Sequence, residues 1–333
     1  MSKVIVDGFG GDNAPAEVLK GCRMAMDELG ASILLVGDEG KLRAAAQETG
    51  VSLEGMELLH APDVLTMEDD PTDIRRAKRE SSMAVGLRAL AEGKGDAFVS
   101  GGNTGALAVG ATLYVKRMAG VKRAALATAV PCDGGCYLLL DAGANAECRP
   151  EMLAQFGVMG SVYMERVMGI QKPRVGLVNV GAEEHKGGET QRAAYQLLKE
   201  APVHFVGNVE ARDIPAGVAD VCVCDGFTGN VVLKLTEGLA QSLMGKVKGL
   251  FLASPVTKLA ALALRGGIRE LKTQMDYSEY GGAPLMGIAR PVIKAHGSSN
   301  AKAFKNAIRQ AVTFVESGAN GEMERQLAQT AAE

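Results

Sequence analysis

Ala97-Phe98-Val99-Ser100-Gly101-Gly102-Asn103-Thr104-Gly105-Ala106 is an apolar run that ends in a Gly-rich polar burst and passes into a helical pattern. Three other segments repeat the arrangement: Asn179-Val-Gly-Ala-Glu-Glu-His-Lys-Gly-Gly188, Asp225-Gly-Phe-Thr-Gly-Asn230 and His296-Gly-Ser-Ser-Asn300. A Gly-rich strand-to-helix turn exposes backbone N–H groups at a helix N-terminus, where partial positive charge favours phosphate or an oxyanion. Four such turns in one chain predict a shared cleft at the strand C-terminal edge, where open α/β sheets bind ligands.

Outward from these turns, β-like and helical stretches alternate. Strands are expected at Val4–Val6, Ile33–Val36, Met56–Leu59, Ala97–Val99, Leu126–Val130, Tyr137–Leu140, Val175–Val180, Val203–Val206, Val221–Cys224 and Val292–Lys294. Several are apolar throughout, as expected of strands covered on both faces. Helical patterns fall between them, as at Ala14–Leu29, Ser81–Glu92, Gly105–Arg117, Glu151–Met168 and Thr190–Lys199. The alternation predicts an α/β fold with a mostly parallel, Rossmann-like sheet. No linker divides residues 1–333, which are expected to form a single domain. Residues 315–333 are polar and Ala-rich and are expected to end the chain as an exposed helix.

Composition narrows the function. Hydrophobic residues are 47% of the 333, enough for a sizeable core. A formal charge of -3 argues against a nucleic-acid binder, and 4% aromatics with no Trp argues against base-stacking platforms. No signal pattern and no run of ~18 apolar residues is seen, so a cytoplasmic protein with reduced cysteines is expected. Cys132, Cys136 and Cys148 lack a His at zinc-ligand spacing, and no metal is expected. After the first strand, Gly8 and Gly10 are followed by Asn13 where a dinucleotide fingerprint needs a third glycine, so no nicotinamide cofactor is expected either.

The alternation breaks at about 231–275, which reads as a helical hairpin turning near Ala253-Ser-Pro255. Residues 234–272 carry seven Lys/Arg against two Glu, a local balance of +5 in a net-negative chain. Lys258, Arg265, Arg269 and Lys272 fall on one helical stripe beside a broad apolar face of Val256, Leu259, Ala260, Ala263, Leu264, Ile268 and Leu271. This pattern suits an interfacial helix or a face packed on the domain or on a second subunit.

Ten ordered motifs carry a more specific signal: Asp7-x-x-Gly-Gly-Asp12, Ser81-Ser-Met83, Gly102-Asn-Thr-Gly-Ala106, Leu140-Asp-Ala-Gly-Ala-Asn145, Gly160-Ser-Val-Tyr163, Asn179-Val-Gly181, Gly207-Asn-Val-Glu-Ala-Arg212, Asp225-Gly-Phe-Thr-Gly-Asn230, Tyr277-Ser-x-Tyr-Gly-Gly282 and His296-Gly-Ser-Ser299. In this order they resemble the acyl-ACP:phosphate acyltransferases (PlsX family) of bacterial phospholipid synthesis, from the first strand to about residue 310. Two departures lie in turns: Gly8-Phe9 and Gly101 stand where the family usually has Ala-Met and Ala. The resemblance implies a three-layer αβα fold similar to phosphotransacetylases and isopropylmalate-type dehydrogenases. It implies a homodimer that transfers a long acyl chain from acyl carrier protein to inorganic phosphate. It also implies peripheral contact with the inner, anionic membrane face through the hairpin, at Val256, Leu259, Ala263, Arg265 and Arg269. The acyl phosphate:glycerol-3-phosphate acyltransferase of the next step is a candidate partner.

Phosphate as nucleophile needs little deprotonation, and a pantetheine thiol of ordinary acidity, about 8.5, leaves without a strong acid. The protein's task is then to hold a multiply charged nucleophile against a thioester and stabilise the oxyanion. Gly101, Gly102, Asn103, Thr104 and Gly105 are the first candidates for the phosphate cradle. Lys186 is a candidate cation, and His296 a candidate donor to the carbonyl oxygen or the leaving sulfur. Asp7, Asp12, Asn179, Asp225, Thr228, Asn230, Ser298, Ser299 and Asn300 are expected to line or orient the site. The rivals are a phosphotransacetylase using coenzyme A, a decarboxylating dehydrogenase and a non-catalytic membrane scaffold. The basic hairpin counts against the first, the lack of a metal-binding Asp cluster against the second, and the four donor-rich turns against the third.

Overall fold

The computed structural model describes residues 2–268 and 281–332. Its framework is an eleven-stranded sheet in the order β3-β2-β1-β4-β11-β10-β5-β6-β9-β7-β8. The strands are β1 (Lys3–Asp7), β2 (Ser32–Gly37), β3 (Glu57–His60), β4 (Ala97–Ser100), β5 (Ala125–Cys132), β6 (Gly135–Leu140), β7 (Arg174–Asn179), β8 (His204–Glu210), β9 (Val221–Val223), β10 (Ala283–Met286) and β11 (Val292–Lys294). Val4, Ile5, Val6, Phe98, Leu138, Leu139, Val221 and Val223 are buried because helices cover both faces of the sheet.

The sheet is mostly parallel, but it reverses at its centre. The pairs β10–β11, β10–β5 and β5–β6 are antiparallel. The turn Asp133-Gly134-Gly135, with positive φ at both glycines, closes the β5–β6 hairpin. The strands on either side of this junction therefore run in opposite directions. β10 is an addition to the ten expected strands. It is four residues long, contains Pro284 and follows Gly281-Gly282, so its sequence does not advertise a strand.

The helices are α1 (Ala16–Leu29), α2 (Glu39–Thr49), α3 (Ser82–Ala91), α4 (Thr104–Gly110), α5 (Pro150–Arg166), α6 (Glu189–Glu200), α7 (Gly226–Leu252), α8 (Pro255–Ala263), α9 (Ala301–Glu316) and α10 (Ala319–Ala332). The core on one face is continuous. It joins α1, α5, α6, α9 and α10 to strands of both halves. The final helix is not merely exposed: its Met323 and Leu327 are buried in this core. The other face is split. One cluster packs α3 and α4 under Phe98, and a second packs the start of α7 over Leu126, Leu139 and Cys224.

Asp141, fully buried just past β6, ties the junction together. Its Oδ1 accepts from the N–H groups of Leu126, Gly143 and Ala144 at 3.0, 3.1 and 2.9 Å. Its Oδ2 accepts from Asn145 N at 2.7 Å and Asn145 Nδ2 at 2.8 Å. Burial pushes the Asp141 carboxyl pKa up, and these donors oppose the shift. The Asn145 carbonyl then accepts from Gly226 N at 2.7 Å, so the same turn seats the start of α7. A Cβ at Gly229 would stand 1.9 Å from the Asp141 carbonyl oxygen, so only glycine fits that close approach.

Beyond its first turns α7 leaves the body. It is 27 residues long, about 40 Å at the ordinary helical rise. Leu235, Leu239, Leu243 and Leu250 are exposed along it. After the Ser254 capping box, Val256 and Leu259 of α8 are 77% and 71% exposed. Ala263 and Arg265 are exposed as well, whereas Arg269 and Lys272 lie outside the described residues.

Replacing Asp141 with Ala strands several buried N–H groups at once. Asp141→Ala is expected to lower unfolding free energy by roughly 3 kcal/mol or more, read by urea denaturation. A loss under about 1 kcal/mol would show that the turn holds without its carboxylate.

Candidate active site

Beside the cluster at the start of α7 lies a cavity of about 560 Å³. Residues of β5 and β10 line its centre, including Leu126, Thr128 and Ala283. Its walls are the turns after β1, β4, β6, β9 and β11, contributed by both halves of the sheet. Its polar lining includes Asp12, Thr104, Asn230, Lys294, His296 and Ser299, with Lys234 and Glu237 on α7. Its apolar lining includes Leu126, Ala129, Ala142, Ala146, Phe227 and Leu233.

Lys294 is the most unusual group in this lining. It closes β11, between β4 and β10, and is only 8% exposed. Its Nζ donates to the Gly101 carbonyl at 3.1 Å and to the Ala295 carbonyl. It thus bridges the turn after β4 and the turn after its own strand. Burial pulls its pKa down to about 8, while Asp12 and Asp7 hold it up. His296 lies two residues on, with Nδ1 2.8 Å from the Ser298 hydroxyl. Burial, followed by Lys234 and Lys294, lowers the imidazole pKa from its ordinary value, and Glu237 and Asp12 oppose the shift.

Of the residues named from sequence, Asp12, Thr104, Asn230, His296 and Ser299 line the cavity. Others build its walls. Asp7 is buried, accepting from the Ser82 hydroxyl at 2.6 Å, the Ser100 hydroxyl at 2.7 Å and Phe9 N at 3.2 Å. Gly101 and Gly102 are close-packing positions: added Cβ atoms would lie 2.6 Å from the Gly10 carbonyl and 2.7 Å from Met83. A Cβ at Gly105 would meet Pro71 at 2.8 Å. Asp225 caps α7 through Thr228 N at 2.7 Å, and Asn300 caps α9 through Ala303 N at 3.0 Å. The Ser298 carbonyl accepts from Asn13 Nδ2 at 3.3 Å.

Asn103 and the turn after β7 are committed elsewhere. Asn103 Oδ1 caps α4 through Ala106 N at 3.0 Å. Its Nδ2 donates to the Met67 and Asp69 carbonyls at 3.3 and 3.4 Å, tying the 67–69 segment beside the cavity. The Asn179 amide donates to the Lys186 carbonyl at 3.1 Å and to Asn208 Oδ1 at 3.1 Å, organising its own loop. Neither Asn179 nor Lys186 lines the cavity, because β7 lies away from the junction, beyond β9.

In sequence Lys294 has the pattern of the polar end of a short strand, with no motif to mark it. The available signal was a lysine on a strand predicted to be covered on both faces, a placement lysine avoids unless its charge has a use. Among the described residues no cluster of His, Cys, Asp or Glu is arranged to hold a metal ion.

Comparison with known proteins follows the same outline. The pattern of a family described as "Fatty acid synthesis protein" matches residues 2–321. A phosphate acyltransferase of Alkaliphilus oremlandii is 48% identical over 314 residues, 94% of each chain. One from Acetivibrio thermocellus is 47% identical over 317 residues, 95% of this chain and 94% of the relative. Among solved structures, the EutD phosphotransacetylase from Staphylococcus aureus matches with a TM-score of 0.64, covering 94% of each chain at 17% identity. A phosphotransacetylase from Streptococcus pyogenes matches with a TM-score of 0.65 at 16% identity, covering 95% of this chain and 94% of that one. At these identities the structural likeness establishes the fold alone.

The Asn103 geometry separates capping from tethering. Asn103→Asp keeps the cap acceptor but loses both donations to the 67–69 segment, whereas Asn103→Ala loses both. Asn103→Ala is expected to cost about 1 kcal/mol in thermal or urea unfolding. Asn103→Asp should recover most of that stability while leaving the 67–69 amides faster in hydrogen exchange than in the wild type. Equal stability of Asn103→Ala and wild type would remove the cap from the account.

Proposed function

This chain belongs to the fatty acid synthesis protein family and is an acyltransferase, and from that premise we propose that it transfers a long-chain fatty acyl group from acyl carrier protein to inorganic phosphate. The product is acyl phosphate for phospholipid synthesis. A phosphate oxygen attacks the thioester carbonyl carbon, a C–O bond forms and the C–S bond breaks. The electron pair leaves on sulfur, and the proton of the hydrogen phosphate dianion ends on the thiol.

The observation that carries this reading is that one cavity is lined both by polar residues that include a buried lysine and by apolar ones. An acylated thioester needs the second, and a dianionic nucleophile needs the first. The cysteines support direct attack. None lines the cavity, and burial pushes the Cys22 and Cys148 thiols up to about 12 and Cys136 to about 11. Cys132, Cys222 and Cys224 are also raised. Thiols so far from the thiolate are poor nucleophiles near pH 7. Thr104, His296 and Ser299 are the donors we assign to the oxyanion and leaving sulfur, with Asp12 and Asn230 as flanking contacts.

We assign the α7–α8 hairpin to peripheral contact with the anionic cytoplasmic face of the membrane, in an enzyme that works as a homodimer. The exposed Val256, Leu259 and Ala263, with Arg265, support that assignment. Among the described residues no helix is long and apolar enough to cross a membrane.

Purified protein mixed with palmitoyl-acyl carrier protein and phosphate should yield a product that hydroxylamine traps as the hydroxamate. It should do so without added metal or nicotinamide. Thiol release at an equal rate without phosphate would identify a thioesterase instead.

Flotation with anionic liposomes tests the hairpin. Basic residues contribute about 1 kcal/mol each near an anionic surface, a contribution that salt screens, while apolar burial survives salt. Wild-type binding should weaken but persist as salt rises. Leu259→Glu should reduce it on all lipids and Arg265→Glu mainly on anionic lipid, with soluble turnover retained by both. Equal flotation of all three proteins, or none, would make the hairpin a packing or subunit contact.

A further inference from the structure

We propose that Lys294 Nζ is the group that binds the attacking phosphate, a role that rests on the phosphorolysis reading above and goes beyond it by naming the cation. An ammonium has three N–H donors. Two are committed to the Gly101 and Ala295 carbonyls, and the third remains for the cavity that Lys294 lines.

A cation this deeply buried is costly unless an anion answers it. Among the described residues no carboxylate lies within ion-pair distance of Lys294, and the charges of Asp12 and Asp7 act on it only from farther off. The oxygens of Asp7, the buried carboxylate on β1, accept from Ser82, Ser100 and Phe9. Asp12, in the turn after β1, is exposed. From α7, Lys234 pairs with Glu237 at 2.8 Å and faces solvent. At His296, burial and the nearby lysines disfavour the charged imidazole. The cavity therefore holds one buried cation with an uncommitted donor, and a phosphate dianion is the substrate group that matches it. Lys294 keeps its proton throughout the transfer. Its carbonyl partners fix the ammonium between the turn after β4 and the turn after β11, so the nucleophile is held by a preset charge.

The role predicts a pH signature. Phosphate is mostly dianionic by about pH 8, the region where Lys294 loses its proton. Above that pH phosphate therefore loses its counter-charge.

The test is the phosphate KM of acyl phosphate formation in wild type, Lys294→Met, Lys294→Arg and Lys234→Gln, from pH 7 to 10. Lys294→Met should raise the phosphate KM by roughly 30-fold or more, the scale of truncating one partner of a buried charge pair. The KM for the acyl donor should move by no more than about 3-fold. In the wild type and in Lys234→Gln the phosphate KM should climb above pH 8, by about tenfold per pH unit once the lysine is mostly neutral. In Lys294→Arg it should stay flat above pH 8, because a guanidinium keeps its charge across this range. An unchanged phosphate KM in a folded Lys294→Met protein would overturn the assignment, as would a flat wild-type profile. The wild-type profile decides alone if Lys294→Met does not fold. Turnover with neither effect defeats the lysine assignment only, whereas no acyl phosphate from the wild type defeats the functional reading with it.

Discussion

Two buried carboxylates hold this molecule's working parts in place. Asp7 sits at the end of β1 and Asp141 just past β6, on opposite sides of the central reversal of the sheet. Each is withdrawn from water and answered by hydroxyls, amides or backbone N–H groups of the adjoining turns. A buried charge so satisfied is intolerant of small rearrangements, because losing any donor leaves a desolvation penalty behind. The neighbouring glycines follow from this. A Cβ at Gly10 would lie 2.6 Å from Asp7, and one at Gly229 would overlap the Asp141 carbonyl. The turns are therefore rigid walls, and the cavity is the space the two halves leave between them.

The layers of the fold were legible because covered strands read as short apolar runs and amphipathic helices separate them. The reversal at the centre was less so. Asp133-Gly134-Gly135 between two apolar runs is a hairpin signal, but the surrounding βα alternation draws attention to parallel crossovers. β10 escaped because Pro284 and two preceding glycines disguise it. At the site, sequence motifs mark where backbone geometry is demanding, and that demand has two sources. Asp12, Thr104, Asn230, His296 and Ser299 face the cavity, while Asp7, Asn103, Asp225 and Asn300 stabilise the turns that shape it. A cap and a ligand contact look alike in one sequence. Lys294 shows the converse. Its environment is assembled from β1, β4 and β11, and no local pattern records those contacts.

Charge is distributed in two separate places. The cavity has a buried cation, and withdrawal from water strengthens its attraction for an anion. The hairpin has exposed basic residues beside exposed leucines, where attraction is weak per residue and screened by salt. α7 joins the two, since its first turns line the cavity and its later turns leave the body. Under the proposed function, that continuity would place acyl phosphate made at one end close to the element assigned to the lipid surface.

The central claim is that phosphate and thioester meet in one cavity and that the protein contributes no nucleophile of its own. Isotope exchange tests this most directly. Unlabelled acyl-acyl carrier protein is incubated with enzyme and labelled carrier thiol, and label entering the thioester pool is followed with and without phosphate. Direct attack predicts no exchange until phosphate is added, because only acyl phosphate returns the acyl group to a second carrier. Exchange in the complete absence of phosphate would require an acylated enzyme and would contradict the account.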